Sequence, residues 1–227
     1  NSLSAEEIRD ALERARAVGV KGVVNIGGGD GLEYAQHAVE VAERYPDVFA
    51  TVGVHPHDAK IVDQSLMDEI EAMCAHPKVV AVGETGLDFH YNFSEPDVQR
   101  KIFRDFIALA RDTKLPLVLH VRNAHADALE ILRDERAHEV GGVVHCFTSG
   151  PEDAARYVDL GFYVSIPGVV TFKNAQILRE AVPTIPLEKL LVETDAPYLA
   201  PVPKRGKKNE IAYLLFTAQK VAELRDM

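Results

Sequence analysis

Ser4 stands three positions before Glu7, and apolar residues then recur at Ile8, Leu12, Ala15 and Val18. That is the spacing of one helix face behind a capping box, so the chain is predicted to open with an amphipathic helix. A β-branched run, Val23 to Ile26, follows and ends in Gly27, Gly28 and Gly29, before a helical stretch through Tyr34, Ala38 and Val41 toward Pro46. The same alternation returns, with strand cores predicted at Phe49 to Val54, Val79 to Val82, Leu117 to Val121, Val143 to Phe147, Phe162 to Ile166 and Leu190 to Glu193, seven strands in all. Helical patterns separate them. Val98, Ile102, Phe106 and Leu109 follow Ser94, read as the cap, with Pro96 in the first turn, and Ala154 to Leu160 follow Ser149 and Pro151.

Strands alternating with helices imply βαβ units around a parallel sheet, and continuous apolar runs suit strands buried on both faces. An open doubly wound sheet and a closed barrel both satisfy this pattern. Polar, chemically capable residues at the C-terminal ends of at least five strands favour the barrel, which gathers its active site there. The expected fold is therefore α/β, a (β/α)8 TIM-type barrel in one domain over residues 1–227. A barrel of this kind needs eight strands, so the first is expected to be missing from this chain.

Composition narrows the picture. The 227 residues are 47% hydrophobic and 26% charged, ordinary globular values within the size of a single core. No apolar run approaches the roughly 20 residues that span a bilayer, and the chain opens on a helix signal, not a secretory leader. No membrane association or obligate protein partner is expected. Cys74 and Cys146 are too few for a disulfide framework and read as buried helix and buried strand, so the expected compartment is the reducing cytoplasm. A formal charge of −10 argues against a protein that coats nucleic acid through a broad basic surface. It leaves room for a nuclease, which can bind a phosphodiester through cations and a few basic groups.

The strand ends carry His55-Pro56-His57, Glu84 in GETGLD, His120 in VLHVR, His145 in VVHCF and Asp195 in VETDAP. Imidazole and carboxylate together are the usual donor set of a catalytic metal site with open positions, and a bound cation brings the pKa of water toward about 7. Any one of these histidines is more simply a loop or hydrogen-bonding residue. A Glu, two His and an Asp at the same end of four strands are harder to explain that way, because core strands otherwise exclude charge.

The segments GVHPH, GETGLDFHYNFS, LPLVLHVRNAHAD, GGVVHCFTSG and KLLVETDAPYLAPVPKRGKKNE resemble the successive motifs of the TatD family of metal-dependent deoxyribonucleases, a branch of the amidohydrolase-like barrels. The resemblance runs from about Gly19 to the end. It implies one or two divalent ions per chain, Mg, Mn or Zn, with Glu84, His120, His145 and Asp195 as ligands. Glu84 would bridge two metals, His120 and His145 would complete one site, and Asp195 would bind the other or hold the attacking water. Glu84 and Asp195 are thus the expected catalytic residues, with DNA as substrate and exonuclease action on single-stranded or frayed ends. The family's remaining ligands form an H-x-H motif on strand one, and no such motif precedes Ser4.

Other positions carry weaker signals. His55 and His57 are expected to line the substrate cleft, although His57 could instead cap the following helix. Asp88 and His90 could orient ligands, while His125 reads as a surface residue. Arg122 suits either a phosphate contact, through its forked guanidinium, or a structural ion pair. Lys204 and Arg205, with Lys207 and Lys208, follow the Asp195 loop and are read as backbone-phosphate contacts, the family usually having His in place of Lys204. Gly27 to Gly29 lacks the form of a phosphate loop and is read as a tight strand-helix turn. The rival readings are a metal-dependent hydrolase of small esters, amides or lactones, and a catalytically impaired metal-binding protein acting through interaction.

Overall fold

The structure, a computed structural model, describes residues 3–29 and 31–227. Its contacts divide into two units, the larger comprising Gly22–His145 and Asp159–Phe162.

The larger unit is built on parallel strands: β1 (Val23–Asn25), β2 (Gly28–Gly29), β3 (Val48–Val54), β4 (Val79–Asp88), β5 (Leu117–Arg122) and β6 (Gly142–Val144). Its sheet runs β1-β3-β4-β5-β6, with β2 pairing β3 off that path. Every pairing is parallel because a helix returns the chain between most of the strands: α2 (Leu32–Arg44), α3 (Gln64–Cys74), α4 (Pro96–Thr113) and α5 (His125–Asp134). Val48, Ala50, Val52 and Val54 of β3 are buried, as are Leu117 and Leu119 of β5, and Phe103, Phe106 and Ile107 of α4 pack in the same core. Lys114 closes α4 in the left-handed conformation at φ +58°, its backbone N–H bonding Ala110 and Arg111 carbonyls, which reverses the chain into β5.

The other unit holds α1 (Ala5–Ala17), α6 (Pro151–Asp159), β7 (Tyr163–Ile166), α7 (Gln176–Ala181), β8 (Leu190–Val192) and α8 (Leu214–Leu224). The predicted capping box is present on α1, with Ser4 and Glu7 bonding each other's backbone. Strands β7 and β8 pair in parallel. Lys204 lies over the rings of Tyr213 and Phe216, at 5.1 and 5.9 Å, and Arg205 over Phe172 at 3.9 Å.

Several details correct the sequence reading. Gly28 and Gly29 form strand β2 beside β3 and are not a strand-helix turn. Strand β4 continues through Asp88, so Glu84 lies within it. Strand β6 ends at Val144, and Cys146 follows it at φ +47°, half-buried and outside any strand. Ser94 does not cap α4, whose N-cap is Glu95 without a side-chain bond. Its hydroxyl instead donates to the His57 carbonyl at 2.7 Å and accepts the Lys60 N–H at 3.1 Å.

Candidate metal centre

Strands β3, β4 and β5 deliver the polar residues of the larger unit to one place. His55 follows β3 directly, Glu84 and Asp88 lie on β4, and His120 on β5. The parallel register sets Gly86 opposite His120 and Asp88 opposite Arg122. Side chains alternate faces along a strand, so Glu84 and Asp88, four apart, flank the imidazole of His120.

The His120 ring is held from both edges. Its Nε2 lies 3.1 Å from Asp88 Oδ2 and its Nδ1 lies 2.9 Å from Glu84 Oε1. His55 Nε2 approaches the same region, 3.1 Å from His120 Nδ1 and 3.6 Å from Glu84 Oε1. His145 Nε2 stands 3.8 Å from Glu84 Oε1. His55, Glu84 and His120 each offer a ligand atom, all within 4.8 Å of one another.

Outer contacts fix these side chains. Asp88, fully buried, also accepts from His57 Nε2 at 2.9 Å and from the backbone N–H groups of His90 and Tyr91 at 2.9 and 3.1 Å. The buried Gln99 accepts from the Asp88 N–H and donates to the Asp88 and Ser94 carbonyls. His55, not His57, is the N-cap of the 3-10 turn Pro56–Ile61, its Nδ1 accepting the His57 N–H at 3.2 Å.

Electrostatics follow from this packing. Burial alone would raise the Glu84 carboxyl, but the imidazoles of His145 and His120 outweigh it and bring it down to about 2. Asp88 is likewise buried, yet four hydrogen bonds hold its carboxyl well below the usual range. Burial and the neighbouring charge of His120 push His55 down to about 3, so it is neutral. For His120 burial opposes the charged form, and bonds to Asp88 and Glu84 raise it.

The donor set fits a divalent cation. In the tautomer that gives the Nε2 proton of His120 to Asp88 and leaves Nδ1 bare, the Nδ1 lone pair faces a carboxylate oxygen at 2.9 Å. Two acceptors at that distance repel unless positive charge lies between them, a proton or a metal ion. Mixed imidazole nitrogen and carboxylate oxygen with outer-shell bonds is the composition of a catalytic site.

The expected residues divide between the units. Glu84, His120, His145, His55 and His57 come together in the larger one. Among the described residues Arg122 makes no ion pair, and its guanidinium lies over the Tyr91 ring, 4.8 Å from its centre. His125 is the first residue of α5. Asp195, Lys204 and Arg205 belong to the other unit. Asp195 follows β8 at φ +53°, in a loop where the Asn209 amide donates to the Thr194 and Tyr198 carbonyls. Gln99 carries an organising role that nothing in the sequence singled out, since a glutamine on a helix ordinarily reads as surface.

Residues 2–227 match the family described as TatD related DNase. The chain is 42% identical over 221 residues to the metal-dependent hydrolase YabD of Bacillus subtilis, covering 97% of this chain and 86% of that protein. It is 39% identical over 227 residues to the 3'-5' ssDNA/RNA exonuclease TatD of Salmonella typhimurium, covering 98% and 86%. Among solved structures, the TatD homologue YjjV of Escherichia coli K12 superposes with a TM-score of 0.92 at 27% identity, over 98% of this chain and 86% of the other. The fold is thus α/β, of the TIM-barrel class that these homologues share. Among the described residues, no helix is long and apolar enough to cross a membrane.

Proposed function

The chain belongs to the family of TatD related DNases and is a metal-dependent hydrolase, and we propose that its substrate is the phosphodiester bond of DNA, cut from strand ends. The observation that carries this reading is the convergence of His120 Nδ1, His55 Nε2 and His145 Nε2 on Glu84 Oε1, at 2.9, 3.6 and 3.8 Å. Two relatives bear the name of 3'-5' ssDNA/RNA exonuclease, which supports nucleic acid as the substrate class.

In this reading Glu84, His120 and His145 would hold a divalent cation, and Asp195 would bind a second one or hold the attacking water. A bound cation supplies Lewis acidity, lowering the pKa of water and offsetting charge that develops on the phosphate. Asp88 keeps the proton on His120 Nε2 so that Nδ1 is free to ligate. The Asp195 carboxylate accepts the proton of the attacking water. Arg122, His57, Lys204 and Arg205 bind the strand, the cationic groups through phosphate oxygens, a contact that fixes register without reading sequence. An acidic protein needs such local cations, because its overall charge of −10 repels the strand.

The test is hydrolysis of single-stranded and duplex DNA after chelation and after return of magnesium, manganese or zinc, with Glu84→Ala and Asp195→Ala alongside. Metal-dependent cleavage lost in both variants is the expected result. Metal binding without cleavage of DNA under any condition overturns the reading and directs attention to small esters, amides and lactones.

A further inference from the structure

Between β4 and α4 the chain passes through Phe89, His90, Tyr91, Asn92 and Phe93, a short loop that leaves two large aromatic rings in solvent. Tyr91 is 50% exposed and Phe93 57%. The two rings stack on each other, 8° from parallel with centres 5.3 Å apart. Exposed aromatic surface of this kind is unfavourable in water unless something covers it, and single exposed side chains need no such account; two aligned rings do.

The loop is held firmly. Asp88 Oδ1 accepts the N–H groups of His90 and Tyr91, and Gln99 ties the Asp88 carbonyl to that of Ser94 across the loop. Ser94 and the Phe93 carbonyl are bonded by Lys60 and by the turn that follows His55. The rings are therefore presented in a fixed direction, which lowers the entropy lost when a partner settles on them.

They also adjoin the reacting centre. The His57 ring meets Phe93 edge-on at 4.8 Å and Tyr91 at 5.7 Å, and His57 is bonded through Asp88 to His120. Arg122, exposed at the end of β5, sets its guanidinium over the Tyr91 ring, 4.8 Å from its centre. A flat apolar face beside a cation matches the two halves of a nucleotide, a π-faced base and an anionic phosphate.

We infer that Tyr91 and Phe93 form a stacking shelf for an unpaired nucleobase next to the scissile bond, with Arg122 on the adjoining phosphate. The inference rests on the nucleic-acid reading above and adds to it the side chains that would receive an unpaired base, since a base inside a duplex offers no free face to the shelf. Stacking tolerates any base, so the shelf selects strandedness and not sequence.

Three proteins decide it: native, Tyr91→Ala/Phe93→Ala, and Tyr91→Phe/Phe93→Tyr, each checked by circular dichroism. With metal present, the alanine variant is expected to raise KM for a single-stranded oligonucleotide about tenfold or more, and the aromatic exchange to restore it. On an oligonucleotide whose terminal nucleotides lack bases, the KM ratio of alanine variant to native falls towards one. An unchanged KM on the base-bearing strand, or an equal rise on the abasic strand, overturns the shelf. In chelator, quenching of a 2-aminopurine strand by native but not alanine protein separates the two readings. Quenching in chelator with no cleavage on return of metal keeps the shelf and removes the nuclease reading, and cleavage on return of metal with no quenching does the reverse.

Discussion

Asp88 Oδ2 and His120 Nε2 face each other at 3.1 Å on the side of the imidazole away from Glu84. This bond decides what the other edge of the ring offers, because a ring whose Nε2 keeps its proton presents a bare Nδ1 to a cation. Asp88→Asn weakens that control, since an amide oxygen is a poorer acceptor and His57 competes for it. Loss of such an outer partner typically costs about 10- to 100-fold in metal affinity. Calorimetric titration of the variant with zinc or manganese is expected to show a loss in that range, and native affinity would remove Asp88 from the site.

Gly28 governs the same centre from beneath. A Cβ built there would stand 2.5 Å from the Glu84 backbone nitrogen and 2.6 Å from its Cβ, far inside contact. Neither atom is the yielding tip of a long side chain, so Gly28→Ala must displace the strand segment that carries Glu84. Overpacking of this kind costs about 1–3 kcal/mol. Urea denaturation should report that loss, and metal titration a weaker site. Native values on both measurements would show that β4 can shift without consequence.

The surroundings of Glu84 and His120 divide into what the sequence pattern signalled and what it did not. Glu84 and His120 drew notice in the sequence because charge inside apolar runs demands a reason, and the structure sets them 2.9 Å apart. Asp88 was read as able to orient ligands, but its partners were not legible, because its bonds join residues 31 and 32 positions apart and depend on the register of β4 against β5. Strand β2 escaped notice for the opposite reason: two glycines carry no side-chain periodicity, and only the backbone pairing with β3 reveals them. Strand β6 was drawn too long because Cys146 and Phe147 continue its apolar run, although Phe147 is buried by the Tyr157 ring, outside the strand.

Cys74 gives a pH-dependent readout remote from the metal ligands. It ends α3, buried, and burial aided by the charge of Glu71 pushes its thiol from 9.0 up to about 11. The folded state therefore keeps a proton that the unfolded state has lost, so stability is intact below about pH 9 and falls as pH rises toward 11. Since the thiolate is the nucleophile, alkylation of Cys74 in the native protein should climb with pH until about 11, and in urea should level near 9. Peptide mass spectrometry resolves Cys74 from Cys146. A native profile that levels near 9 would refute the burial effect.

Metal removal tests whether His120 and Glu84 form a binding site. A cation that binds only the folded chain stabilises it by about 2.7 kcal/mol when present at 100 times its dissociation constant. For a chain of about this length each kcal/mol moves Tm by about 2–4 °C, so saturating metal should lift Tm by about 5–10 °C over the chelated protein. Glu84→Gln removes the carboxylate that His120, His55 and His145 all approach, and with it most of that rise. The amide keeps the size of the side chain, so the variant is expected to fold in chelator and to show nearly the same Tm with and without metal. A full rise in the variant would mean that the cation binds elsewhere. No rise in the native protein would mean that the 2.9 Å pair is satisfied by a proton alone.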